Sequence, residues 1–261
     1  MENEIQSLII KLFVFFFGMA IGSFLNVCIY RLPESISLVH PGSRCPKCKT
    51  KIAFYDNIPV LSYIILRGKC RHCETTISLR YLVVEMVSGL FALAIFGQYG
   101  FSLETIFVYA FVAALLVVTF IDIDHQIIPD VITYPGIIIG FLSSFLLDHH
   151  TYIESIMGII LGGGFLFLVA SGYYCLTKKE GMGGGDVKLL AMIGAFLGWK
   201  ATIFTIFVGS IIGTVLGIVV ALYTQKGRKT AVPFGPFLSM GAFLYIFHGQ
   251  QIMNWYFRLV N

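Results

Sequence analysis

Cys45-Pro-Lys-Cys48 and Cys70-Arg-His-Cys73 set two thiol pairs twenty-one residues apart. Each short spacing folds into a tight turn that aims two sulfurs at one point, and zinc takes four such ligands tetrahedrally. The gap between the pairs slightly exceeds the usual run of about 15–20 residues. Four cysteines fill the metal's shell and leave no position for water, so the expected role of zinc is structural. The stretch 31–80 around them has few apolar residues. It cannot bury a core alone, and metal ligation would supply its folding energy. Two disulfides or free thiols are the alternatives, and a reducing cytoplasm disfavours disulfides. His72 is expected at the surface rather than among the ligands. Cys28 and Cys175 fall in apolar runs and are expected to pack.

The second group is acidic. Most of the fourteen acids lie at the termini or in loops. Asp122, Asp124 and Asp130 instead fall in Ile121-Asp122-Ile123-Asp124-His125-Gln126-Ile127-Ile128-Pro129-Asp130, directly after an apolar run, and Asp186 closes Gly183-Gly184-Gly185-Asp186 before another. Charge at membrane depth is costly and usually functional. Two aspartates brought together can hydrolyse a peptide without a metal. One, ionised, takes a proton from water, and the other, protonated, donates to the carbonyl oxygen or the leaving amine. Like charges in one site share a proton and titrate as a pair. Glycines before Asp186 would let an extended backbone approach closely. The competing reading makes these aspartates proton or cation sites of a proton-coupled transporter with a zinc-binding regulatory loop. A third makes the chain a non-enzymatic scaffold. Asp130, after Pro129, reads as the start of a helix.

Composition limits what can carry these groups. The 261 residues are 57% hydrophobic and 12% charged, with net charge +4 and mean hydropathy +0.85. A soluble domain is about 25% charged. So little charge cannot cover a soluble globule, which excludes a soluble enzyme, a disordered chain and a nucleic-acid binder. Crossing a bilayer takes about 20 apolar residues. Residues 5–29, 81–96, 101–121, 131–147, 153–176, 201–223 and 237–256 qualify. Residues 189–199 are only eleven, between Lys188 and Lys200, and by length alone could be re-entrant. Lys and Arg collect on the cytoplasmic side. Nine of the eighteen lie in 31–80, and Lys178, Lys179, Lys188, Lys226, Arg228 and Lys229 add six. All fifteen share one side only if 189–199 also crosses. The expectation is an all-α polytopic membrane protein of about eight transmembrane helices with a small cytoplasmic zinc-binding loop domain and both termini outside. A cleaved signal peptide is not expected, because Glu2 and Glu4 replace a basic start.

The ordered motifs resemble those of the bacterial type IV prepilin peptidases, intramembrane aspartyl proteases of the GxGD type. They are Gly22-Ser23-Phe24-Leu25-Asn26-Val27, Tyr30-Arg31-Leu32-Pro33, the two cysteine pairs, Asn57-Ile58-Pro59-Val60-Leu61-Ser62, Leu66-Arg67-Gly68-Lys69, Arg80-Tyr81 with Glu85, the Asp122 run, Lys179 through Leu190, and Val232-Pro233-Phe234-Gly235-Pro236-Phe237. The resemblance covers nearly the whole chain and implies its division into a first transmembrane helix (1–30), a cytoplasmic four-cysteine zinc-binding portion associated with methylation (31–80) and a seven-helix peptidase core (81–261). It implies that the catalytic pair is Asp122, seven residues before Pro129, and Asp186, with Asp124, Gly183 and Gly185 in support.

The implied activity is removal of a short, positively charged leader from pilin or pseudopilin precursors. Cleavage falls after a glycine, at the cytoplasmic face of the bacterial inner membrane. The new N-terminal residue is then methylated with S-adenosylmethionine. No stretch resembles a soluble methyltransferase glycine loop. Gly68, Arg80 and Glu85 occupy family positions and are candidates for the donor site, or else a turn glycine and helix-end anchors. Glu34, Asp56 and Glu74 are candidates for meeting a basic leader.

Overall fold

The computed structural model describes residues 2–147, 151–178, 183–224 and 233–260. Lys179, Lys226, Arg228 and Lys229, used above for orientation, lie outside the described residues, as do residues 180–182 of the second acidic motif and Val232 of the late motif. The described chain is all-helical, with no β-strand beyond two isolated bridges. Its long helices are α1 (Glu2–Arg31), α3 (Leu79–Tyr99), α4 (Leu103–His125), α5 (Asp130–Ser143), α6 (Tyr152–Thr177), α7 (Gly184–Thr224) and α8 (Gly235–Val260). A short α2 (Leu61–Ile65) and a 3-10 turn at Phe54–Asn57 lie in the polar stretch. Among the described residues, five helices are long and apolar enough to cross a membrane: α1, α3, α4, α6 and α7. Large apolar side chains point outward along them, such as Phe13, Phe17, Phe167 and Leu168, as expected where lipid is the solvent. Cys28 packs inside, but Cys175 is exposed, contrary to expectation. Its run is apolar on every face, so sequence could not say which face meets lipid.

The chain divides into two units, Met1–Val117 and Val118–Asn261. In the first, small residues bring α1 and α3 close. A methyl group on Gly18 would strike Ala92, one on Gly22 would strike Glu85 and Ser88, and one on Gly89 would strike Met19. Lipid offers no hydrophobic drive for helix association, so close backbone packing and buried hydrogen bonds carry it. Ser88 Oγ donates to Gly18 O at 2.8 Å and lies 2.8 Å from the Tyr109 hydroxyl.

In the second unit the start of α7 is the core. Leu189, Leu190, Met192, Ile193 and Ala195 are fully buried. Gly158 and Gly162 of α6 meet the backbone of Gly194 and Leu190, and Gly136 and Gly140 of α5 meet Met192 and Phe196. Ser155 Oγ also donates to Ala195 O at 2.8 Å. The helix breaks at Gly198, whose φ of 77° favours glycine. The short apolar run 189–199 is therefore a helix wrapped by its neighbours, and the break hands over to the longer second half. Further along, Gly209 and Gly213 receive Phe237 of α8.

Candidate active site

The two acidic motifs meet in the second unit. The apolar run before the first motif ends at 121 in sequence, but α4 continues through His125 and stops where Gln126 takes φ 54°. Asp122 therefore stands on the helix itself. Phe111, Leu115, Val118 and Asp122 follow at helical spacing and are all buried, Asp122 to 5% exposure. Asp124 lies two residues further, about 200° around the helix, and is exposed. The geometry thus separates two aspartates that residue type alone leaves equivalent.

Asp186 sits in the first turn of α7, its N–H donating to Gly183 O at 3.2 Å, and is half-buried. The charge of Asp122 acts on its carboxyl. Ile128 of the first motif packs against Gly185 of the second and against Gly235. A methyl group on Gly185 would come within 2.9 Å of Ile128 Cβ, and one on Gly235 would come within 3.2 Å of Ile128 Cδ1 and 2.7 Å of Asp122 Oδ2. By contrast, a methyl group on Gly183 would meet, among the described residues, Asp186 Oδ2 and Gly185 N at an ordinary 3.9 Å. Gly185 is the glycine that the close approach requires.

Two contacts had no assigned role in the sequence. Gly235 N–H, at the start of α8, donates to Asp122 Oδ2 at 2.9 Å in a buried bond. The motif around Gly235 was visible, but a backbone donor carries no signal in residue type. Lys188 Nζ pairs with Asp130 at 2.6 Å and lies 5.1 Å from the Tyr134 ring centroid. Asp130 was expected to cap α5, but Pro129 is the N-cap residue and Asp130 lies in the first turn, its carboxylate on Lys188. The exposed pair adds little energy but ties the start of α5 to the start of α7.

The first unit holds five of the six cysteines, Cys175 being the exception. All six are free of disulfides. The ligand atoms of Cys45, Cys48, Cys70 and Cys73 lie within 4.8 Å of one another. Two matching turns aim them. Cys45 N–H donates to Thr50 O and Lys49 N–H to Cys45 O, while Cys70 N–H donates to Thr75 O and Glu74 N–H to Cys70 O. Lys49 and Glu74 close these turns at φ 59° and 54°. A tetrahedron of sulfurs about 2.3 Å from zinc has an edge of about 3.8 Å, and Cys45 and Cys73 Sγ stand 3.8 Å apart. The Cys48 thiol is held down to about 6, chiefly by hydrogen bonds to Thr50, which favours the metal-binding thiolate. The four cysteines fit a metal ion. His72 is exposed and outside the cluster.

Asp56 is engaged by Arg71, whose Nε and Nη2 reach its two oxygens at 2.8 and 2.5 Å. That guanidinium holds the Asp56 carboxyl below the usual range. As a candidate for meeting a basic leader it is already paired, whereas Glu34 and Glu74 are exposed. Gly68 is a turn glycine at φ 67° packed on Tyr63, and Arg80 lies in the first turn of α3. Glu85 is buried to 7% and accepts the Val60 N–H at 2.7 Å, holding Val60 at φ 61°, where a β-branched residue is strained.

Residues 16–99 match the bacterial peptidase A24 N-terminal domain and residues 109–218 match the type IV leader peptidase family. The chain belongs to this family. It is 33% identical to a prepilin leader peptidase/N-methyltransferase of Legionella pneumophila, over 92% of each chain. It is 36% identical to one of Neisseria gonorrhoeae, again over 92% of each, and 33% identical to one of Aeromonas salmonicida over 95% of this chain and 94% of the relative. No solved structure matches significantly. Type IV leader peptidase membership leaves the transporter reading without support.

Proposed function

We propose that this protein is a membrane aspartyl endopeptidase that removes the leader of type IV prepilin-like precursors after a glycine and methylates the new N-terminus. The observation that carries the cleavage half is the convergence of Asp122 and Asp186 around Ile128, with Gly235 N–H on Asp122. An N–H donor at a helix start stabilises negative charge, so Asp122 is the better seat for the ionised carboxylate. It takes a proton from water as the water oxygen attacks the scissile carbonyl. Asp186 donates its proton to the carbonyl oxygen. Collapse of the tetrahedral species breaks the C–N bond, and a proton passes to the leaving amine. General acid–base help of this kind is worth about 10²–10⁴ in rate. Asp124 and Gly183, named with the motif, lie outside this contact.

The surrounding organisation follows from the same reading. Eight crossings are obtained when the two halves of α7 count separately and α5 and α8 also cross, with α1, the four-cysteine portion 31–80 and a peptidase core 81–261 as parts. The basic loops and both aspartates then face the cytoplasm from the bacterial inner membrane. Zinc on the four cysteines would lock the two turns and stabilise the 31–80 portion. S-adenosylmethionine would supply the methyl group.

Incubating the purified protein with a prepilin and the donor should yield a mature pilin that begins after the glycine and is heavier by one methyl group, read by mass spectrometry. Recovery of intact precursor would refute the cleavage reading. A second expected result concerns the glycines. Gly185→Ala should lower cleavage about 10²-fold by displacing Ile128 and the dyad, while Gly183→Ala, whose added methyl makes only ordinary contacts, should stay within about twofold. Equal effects of the two on cleavage rate would show that the close packing on Ile128 is immaterial.

A further inference from the structure

We propose that the methyl donor seats in a cleft of the first unit, between the second half of α1 and the polar stretch that follows it. This rests on the methyltransferase half of the reading above. The cleft has a volume of about 340 Å³ and is lined by residues that include Ser23, Phe24, Arg31, Val39, Gly42 and Asn57. Small-molecule sites span about 300–1,000 Å³, so the space suits a single nucleoside-sized ligand.

Its chemistry suits the carboxylate, the flat base and the ribose of such a donor. Arg31 Nη1 and Nη2 donate to Ser37 O and Pro41 O, both at 2.7 Å. These bonds brace the strap that walls the cleft. A guanidinium has five N–H donors, which leaves donors for a ligand carboxylate. Phe24 and Val39 are 51% and 74% exposed and offer apolar surface to a flat base. The Asn57 amide can meet ribose hydroxyls. Behind Ser23 lies the buried Glu85 carboxylate, which accepts hydrogen bonds from Ser23 and Val60. Glu85 thereby has a positioning role: it links α3 to the Ser23 wall and fixes Val60 next to Pro59 at the cleft edge. A basic leader peptide would instead meet Arg31 unfavourably. In the transfer, the lone pair of the neutral N-terminal amine forms the new N–C bond and the C–S bond breaks with its pair to sulfur. A neutral thioether leaves, and the ammonium formed loses a proton to solvent.

Gly42 provides the test, because a methyl group there meets no atom within 4 Å. Gly42 lines the cleft and has room for a Cβ, so Gly42→Leu is expected to narrow it. The probe is S-adenosylhomocysteine, titrated calorimetrically into the full-length, zinc-loaded protein in detergent. Wild type should bind, Gly42→Leu should weaken binding about tenfold or more, and Asn57→Ala should weaken it by loss of a hydrogen bond. Zinc content and leader cleavage should match wild type in both variants, which excludes misfolding. If wild type binds and methylates but both variants bind equally well, the cleft assignment is wrong while the methyltransferase reading stands. If wild type neither binds the probe nor methylates, the methyltransferase reading fails and takes the cleft with it.

Discussion

Asp122→Asn and Asp186→Asn should each reduce leader cleavage by about 10²–10⁴-fold, measured with purified protein and a prepilin substrate. Asparagine keeps the shape and can still accept the Gly235 N–H at position 122, so the fold should survive. Thermal stability should hold or rise, because a buried charge in a functional site is commonly kept at a cost to stability. Asp124→Asn is the control. It differs from Asp122 by two residues and the same chemistry, but lies exposed on another face of α4. Its rate should stay within about a few-fold of wild type, as for surface changes away from special contacts. Full cleavage by either Asp122→Asn or Asp186→Asn would sink the dyad. A loss at Asp124 as deep as at Asp122 would mean that burial does not select the catalytic residue.

Replacing Cys45 and Cys48, or Cys70 and Cys73, by serine should abolish zinc binding and unfold the stretch they close. Structural zinc contributes about 10–16 kcal/mol in small metal-dependent folds, far more than the hydrogen bonds of two short turns. The first unit would lose the scaffold of its polar stretch. The dyad lies in the second unit with its own packed core. Cleavage should therefore persist while methylation is lost. Metal analysis of the purified variants, limited proteolysis between residues 43 and 77, and the mass of the pilin product measure the three effects. Retained zinc with an intact stretch would overturn the ligand assignment. Cleavage lost together with methylation would mean that the two activities are not separable.

Much of this was written in the residues themselves. Ligand chemistry is local, so the two cysteine pairs announced a four-thiolate cluster, and their turns brought the sulfurs together. Charge is conspicuous in an apolar chain, so Asp122, Asp124 and Asp186 stood out before any coordinate. The broken α7 was legible as a short run flanked by lysines, and the break falls at Gly198. Residues 189–199 left open whether that run crosses, since length does not reveal what surrounds it. The glycines of α5 and α6 that wrap it lie far away in sequence.

The choice of Asp122 over Asp124 needed a helix phase, and α4 is apolar on every side, so no polar face marks its rotation. Seven residues before a proline pointed to Asp122 by resemblance; in the fold the buried line through Phe111, Leu115 and Val118 runs on to Asp122, while Asp124 is exposed. The exposure of Cys175 escaped for the same lack of phase. Gly235 escaped for another reason. Its contribution is a main-chain N–H that any residue except proline would carry, delivered across 113 positions of sequence. Side-chain chemistry is written locally and survives translation into a string of letters. Helix rotation and backbone donors act only through distant packing, and that the tertiary structure alone decides.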